Sequence, residues 1–381
     1  MVSKKNGKKR FCVDYRKLNG ITKKDAYPLP RIDEMMDTLG EAHWFSSMDL
    51  TSGYWQIGME PESISKTAFI SREGLYEFKV MPFGLCNAPA TFQRAMDNIL
   101  GDYNWKFVMI YINDINTFFW TFDEHLEHLQ LVFQRIREAG LKLNREKCNF
   151  TRKELPFLGH VINDEGISPD PSTVQKIIDF PQPRTVKGLQ SFLGLAGYYR
   201  NFVKDFSQIA APLFKLLRNN ITFIWTIDQE NAFKRLKELL TSAPILIYPD
   251  FTKKFYLYTD ASDSGLGAVL SQKDDENRER VIAYASVSLK PTEQKYSTTE
   301  KEALAVVWAV QQFWHYLLGT TFEIITDHNA LRWLFTKQSN PTPRISRWIT
   351  TMMEYNFIIS YQPGWVNQNA DVLSRINSID H

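Results

Sequence analysis

Six acids stand where this chain closes an apolar run or begins a helical one, and acids so placed can hold metal ions. Asp114 lies in Phe107-Val-Met-Ile-Tyr-Ile-Asn-Asp-Ile-Asn-Thr-Phe-Phe119, two apolar runs around the polar pair Asn113-Asp114. That pattern predicts two strands and a tight turn. Asp49, Asp260 and Asp327 each end a short apolar run, Glu302 sits early in a long helical pattern, and Asp371 lies in the last one. Singly, each has an ordinary explanation. Asp114 could belong to a surface hairpin, and Asp49 and Asp260 could cap turns. Glu302 stands three residues after Thr299 and could complete a capping box. Asp327 could cap a helix, and Asp371 could be a solvated helix residue. Jointly, the last four need four coincidences. Hard divalent cations need several oxygen ligands converging from distant segments. Two such ions, roughly 3.5–4 Å apart, stabilise the attacking and leaving oxygens of an in-line phosphoryl displacement.

The elements that must position these acids follow from periodicity. Arg10–Asn19 reads as a strand running into a turn, and 31–39 as a helix stopped by Gly40. Trp44–Leu50 is a strand ending on Asp49, and 66–70 with 76–80 form a hairpin. Met81–Pro89 is a rigid loop into a helix that Asn87 can cap, with Phe92, Ala95, Met96, Ile99 and Leu100 on one face. Thr121-Phe-Asp-Glu124 is a capping-box pattern opening a helix that Gly140 ends. Pro169, Pro171, Pro181 and Pro183 mark a linker-like change, and 186–217 and 228–240 read as helices. Tyr198-Tyr-Arg-Asn-Phe202 could grip nucleic acid, but the aromatics fit a core better. From Phe251 the order is three strands, a long helix with Trp314 inward, a strand, helices, a strand and a helix. The first part is α+β with a mostly antiparallel sheet, and the last part is a mixed α/β sheet.

Length and composition set the frame. A chain of 381 residues predicts two or three domains, and 44% hydrophobic with 14% aromatic residues argues against disorder. A net charge of +2 announces no nucleic-acid binder, although Lys4, Lys5, Lys8, Lys9 and Arg10 crowd the N-terminus. Cys12, Cys86 and Cys148 form no CxxC pair, so reduced thiols of an intracellular protein are expected, with no zinc site. No apolar signal core and no membrane-length apolar run is present, which predicts no membrane partner.

Four segments resemble the catalytic segments of the ribonuclease H domain of gypsy-class LTR retrotransposon Pol proteins. They are Tyr258-Thr-Asp-Ala-Ser262, Thr299-Glu-Lys-Glu-Ala-Leu-Ala305, Thr326-Asp-His-Asn-Ala-Leu331 and Asn369-Ala-Asp-Val-Leu-Ser-Arg375. Arg10–Asn19, Met48–Ile57, Met81–Gln93 and Phe157–Val161 resemble the reverse transcriptase of the same Pol proteins. The resemblance implies a right-hand polymerase followed by an α/β ribonuclease H-like domain. It divides the chain into fingers and palm at 1–163 with part of the fingers missing, thumb and linker at 164–250, and ribonuclease H at 251–381. It implies an RNA-directed DNA polymerase and ribonuclease H acting on RNA template, primer, dNTPs and RNA/DNA hybrid. Mg²⁺ is the expected cofactor, two ions per site, with Mn²⁺ able to substitute. The setting would be intracellular, a cytoplasmic virus-like particle with nuclear entry open, and homodimerisation is left open. No protease or integrase segment is seen.

Residue by residue, the resemblance assigns metal-binding, catalytic carboxylates to Asp49, Asp114, Asp260, Glu302, Asp327 and Asp371. Arg10 and a lysine before it, Lys5, would contact the triphosphate, a role suited to arginine's bidentate fork. Tyr54 would exclude a ribose 2′-OH, Phe83 would lie near nucleotide and template, and Tyr111 opens the Tyr-x-Asp-Asp motif. Two departures stand out. Position 113 should be Asp and is Asn. Asn keeps one oxygen but loses a full charge, and hard cations prefer carboxylate, so impaired DNA synthesis is expected. The loop Tyr361–Asn367 also lacks the histidine of retroviral relatives, which implies a slower or differently assisted nuclease.

Overall fold

The computed structural model describes residues 2–3, 9–40, 42–334 and 342–363, with side chains from Phe11 onward. The chain forms two compact units, Met1–Leu158 with Ile162–Asp164, and Gly159–Val161 with Glu165–His381. Apart from Asp164, the expected 164–250 and 251–381 segments fall together in the second unit. Among the described residues no helix is long and apolar enough to cross a membrane.

In the first unit, α1 (Ile32–Thr38) precedes β1 (Trp44–Asp49). Then come α2 (Ala88–Leu100), β2 (Val108–Tyr111), β3 (Asp114–Phe119), α3 (Phe122–Glu138) and β4 (Asn149–Arg152). The strands form an antiparallel sheet in the order β2-β3-β1-β4. Its core joins Met48, Val108, Ile110 and Ile115 to Phe92, Met96 and Leu100 of α2 and Leu129, Val132 and Ile136 of α3. The i, i+4 spacing of the α2 trio places them on one helix face. Each fully buried side chain of this kind stabilises by about 1.5–3 kcal/mol.

Several local expectations change here. Within Arg10–Asn19 only Arg10 is paired in a strand, Lys9–Arg10, and Arg16–Ile21 is helical. Asn87 occupies the N-cap of α2 but makes no cap bond. Its side chain donates to Lys23 O and accepts from Asp25 N, tying down the 23–25 segment instead. Thr121 pairs with the Glu124 side chain rather than with a backbone N–H. The hairpin turn also shifts by one residue: Asp114 is already the first residue of β3, paired with Tyr111, and the two-residue loop is Ile112-Asn113.

In the second unit, α4 (Pro171–Ile178), α5 (Val186–Tyr198), α6 (Phe206–Ile209) and α7 (Ile227–Thr241) lead into a five-stranded sheet. The predicted 186–217 helix is broken at Arg200–Phe202 and at Asp205, which adopts a left-handed conformation. Tyr199 is fully buried, Phe202 is buried and Tyr198 is exposed, so this aromatic run is mainly core. The sheet comprises β5 (Phe255–Ala261), β6 (Gly265–Lys273), β7 (Glu279–Ser288), β8 (Thr321–Thr326) and β9 (Asn356–Tyr361). Between β7 and β8 runs α8 (Thr298–Gln312), and between β8 and β9 runs α9 (Pro343–Met352). The order is β7-β6-β5-β8-β9, antiparallel on the β7 side and parallel on the β9 side, the mixed sheet expected. Phe255, Leu257, Phe322 and Ile324 pack against Ala303, Val306, Val307 and Val310 of α8. Trp314, expected inward, is 47% exposed because α8 ends at Gln312 and the chain turns.

Candidate active sites

The first acid pair is made by strand register. β1 ends on Asp49 and β3 begins on Asp114, and the two residues face each other directly across the antiparallel ladder. Directly opposed residues on such a ladder have Cβ atoms about 4.5–5.5 Å apart. Packing around Asp114 and the charge of Asp49 raise its carboxyl pKa, with Lys147 acting in the opposite sense. This holds although the residue itself reaches the surface. Lys147 Nζ lies 2.8 Å from Asp49 Oδ2.

The loop beside this pair is held under strain. Ile112 sits at φ 53°, a left-handed conformation costly for a β-branched residue. Gln93 of α2, fully buried, secures it. Its Oε1 accepts from Ile112 N at 2.7 Å, and its Nε2 donates to Ile110 O at 3.3 Å. Asn113 Oδ1 is buried and accepts no hydrogen bond among the described residues. It lies 2.7 Å from where a Cβ on Gly53 would stand, and Phe92 Cζ lies 2.9 Å from the same point. Position 53 thus needs glycine for this close approach. Where the resemblance implies a third carboxylate, the chain has an uncharged amide oxygen.

Tyr54 and Phe83 come together with ring centroids 5.2 Å apart, and Trp55 and Phe92 join the cluster. Lys5 and Asp371 lie outside the described residues, as does the side chain of Arg10. Sequence reasoning missed Lys147 and Gln93. Lys147 is 98 residues from its partner, and no local pattern announces such a contact.

The second site is built at the sheet's centre. Asp260 is near the end of β5, opposite Gly267, and Asp327 follows β8, which is parallel to β5. Glu302 reaches them from the first turns of α8. Ligand oxygens of Asp260, Glu302 and Asp327 all lie within 4.8 Å of one another. Ser297 and Glu300 form the capping box of α8, so Glu302 is not spent on a cap. Glu302 is 5% exposed, and its Oε2 has no hydrogen-bond partner among the described residues. Burial, Asp260 and Asp327 push its pKa up to about 8, opposed by a backbone hydrogen bond from Ala261. Three converging carboxylates with an oxygen left without a donor are what a hard divalent cation satisfies.

Comparison with known proteins agrees with this geometry. Residues 2–162 match the family described as reverse transcriptase (RNA-dependent DNA polymerase). Residues 250–355 match the RNase H-like domain found in reverse transcriptase. The Pol polyprotein of Drosophila melanogaster transposon 297 is 47% identical over 371 residues, covering 97% of this chain and 34% of that protein. The Pol polyprotein of transposon opus, also from Drosophila melanogaster, is 42% identical over 98% of this chain and 38% of its own length. The Tf2-3 polyprotein of Schizosaccharomyces pombe is 37% identical over 98% of this chain and 28% of its own length. The chain thus spans about a third of the length of these relatives. A foamy viral protease-reverse transcriptase solved with dsDNA superposes with a TM-score of 0.83 at 26% identity, over 95% of this chain and 76% of that one. The same kind of protein solved with an RNA/DNA hybrid gives 0.75 at 25% identity, over 92% and 48%. Families of this kind work with divalent metal ions, and the acid trio supplies a ligand set for one.

Proposed function

We propose, for a chain that belongs to the reverse transcriptase and ribonuclease H region of gypsy-class LTR retrotransposon Pol proteins, that it couples an RNA-directed DNA polymerase fold, weakened at Asn113, to a working ribonuclease H. The observation that carries this reading is the trio Asp260, Glu302 and Asp327 within 4.8 Å, with Glu302 Oε2 lacking a donor. Mg²⁺ would be held there, with Asp371 completing the set, and by Asp49 and Asp114 in the first unit. When bound, it supplies Lewis-acid stabilisation of phosphoryl oxygens. The chain's own residues do the rest. Asp49 and Asp114 are held in register by the β1–β3 ladder, and Gln93 fixes the loop between Tyr111 and Asp114. We assign Tyr54 to the exclusion of a ribose 2′-OH, with Phe83 packed against its ring. Arg10 and Lys5 are assigned to the triphosphate. RNA template, primer, dNTPs and RNA/DNA hybrid are the proposed partners, supported by relatives solved with dsDNA and with an RNA/DNA hybrid. An intracellular, virus-like-particle setting goes with that reading.

Asn113 favours a second reading, a copy that grips RNA/DNA after losing its chemistry. One experiment separates the two. The purified chain should cleave the RNA strand of an RNA/DNA hybrid in Mg²⁺ and lose that activity on Asp260→Asn. An inert parent chain that still binds the hybrid would establish the second reading.

A further inference from the structure

We infer that His328 and Thr299 form a positioning pair that sets the spacing between the Asp327 and Glu302 carboxylates. This rests on the nuclease reading of the acid trio. The first turn of α8 is tied outward at successive residues. Glu300 accepts from Arg344 Nη1 at 2.9 Å, and the Arg344 guanidinium stacks over Tyr296. Lys301, almost buried, reaches Asp263 at 2.7 Å. Thr299 Oγ1 is hydrogen-bonded to His328 Nε2 at 2.9 Å. Of these three ties, the Lys301–Asp263 one joins α8 to the segment just past Asp260, and only the last joins α8 to the end of β8, because His328 directly follows Asp327 and Thr299 lies one helical turn before Glu302.

The His328 end is itself anchored. His328 N donates to Thr326 Oγ1 at 3.1 Å, and the fully buried Thr326 accepts at its carbonyl from Gln362 N at 3.0 Å. The Ser297–Glu300 box already closes the helix N-terminus, so the Thr299 hydroxyl is available for this contact. Once all three acids are ionised, as cation binding requires, they repel, and repulsion acts to part helix α8 from the end of β8. A short side-chain bridge across that gap opposes the parting before any cation arrives. Groups that orient metal ligands typically change metal affinity 10–100-fold when removed. A bridge anchored beside Asp327 and one helical turn from Glu302, touching neither carboxylate, belongs at the lower end.

The test uses the full chain carrying Asp49→Asn and Asp114→Asn, so that Mn²⁺ uptake, read by electron paramagnetic resonance, reports the second unit. His328→Ala and Thr299→Val should each raise the Mn²⁺ Kd about tenfold, and the double variant should be no worse than either alone. His328→Gln, which keeps a donor and an acceptor at similar reach, should stay close to the parent. A parent-like Kd in folded His328→Ala and Thr299→Val chains overturns the inference. Should His328→Ala fail to fold, Thr299→Val decides by the same reading. A parent chain whose Mn²⁺ uptake is unmoved by Asp260→Asn would instead sink the nuclease reading, and this inference with it.

Discussion

The raised pKa of Glu302 makes a quantitative prediction about the metal-free protein. An acid whose folded pKa exceeds its unfolded value binds its proton more tightly when folded. The folded state is therefore favoured while the group is protonated, and stability falls as pH rises from the unfolded pKa towards the folded one. For Glu302 that window runs from 4.5 to about 8. Linkage over this shift removes about 3 kcal/mol between roughly pH 5 and pH 7.5. For a unit of this size each kcal/mol moves Tm by about 2–4 °C, so the transition of the second unit should drop by roughly 6–12 °C. Glu302→Gln keeps the shape and removes the titration. The assay is scanning calorimetry in EDTA at both pH values, then with Mg²⁺. The parent should lose stability towards neutral pH and regain it with Mg²⁺, since a cation replaces the proton. Glu302→Gln should be more stable than the parent in EDTA at the higher pH and respond less to Mg²⁺. Equal pH slopes for parent and variant would refute the electrostatic account of the site.

Three further outcomes are expected. Asn113→Asp should raise primer extension by roughly tenfold or more, since each ~1.4 kcal/mol off the barrier is tenfold; equal, robust extension by both chains would show that Asn113 silences nothing. Gln93→Leu strips the Ile112 N–H and Ile110 carbonyl of their side-chain partner and should cost the first unit about 1–3 kcal/mol, read as a lower urea midpoint. Gly166 sits at φ 142°, where an added Cβ would stand 2.2 Å from the Leu246 carbonyl oxygen. Gly166→Ala should therefore destabilise the second unit by about 1–3 kcal/mol, and an unchanged Tm would show that the neighbouring backbone bridge, in which Ile167 N donates to Leu246 O at 2.8 Å and Leu246 N to Ile167 O at 2.9 Å, yields freely.

Much of the fold was legible because it is written in short-range patterns. The alternating and apolar runs at 44–49, 108–119, 255–261 and 321–326 became strands close to the expected bounds. The acids at their ends were found for the same reason, and the register then set Asp49 against Asp114 without further information. What stayed hidden depends on partners distant in sequence. Asn87 looked like a cap because it precedes a Pro-containing helix start, yet its amide serves residues 23 and 25. Thr299 and Glu302 looked like a capping box by spacing, but Ser297 and Glu300, two residues earlier, form it. Lys147 carries no pattern at all, and Gln93, although it ends the Met81–Gln93 motif, has no spacing that announces its hold on the 110–112 backbone, since what both do is fixed only by the packing of the sheet.

The two acid sites also differ in how they manage repulsion. In the first unit a lysine ammonium sits on Asp49, and the position expected to carry a third carboxylate holds an uncharged amide. Both features lower the local negative charge. In the second unit no ion pair among the described residues reaches Asp260, Glu302 or Asp327, and the buried Glu302 answers by keeping its proton. The first site is thus compensated by its own chain, whereas the second is left in need of an external positive charge. A site that must recruit its counter-charge binds cations more strongly once its acids are ionised, so Mg²⁺ titration above pH 8 should saturate the acid trio of the second unit first. With Asn113 in place the first centre should remain the weaker of the two, and Asn113→Asp should narrow that gap by adding the missing charge.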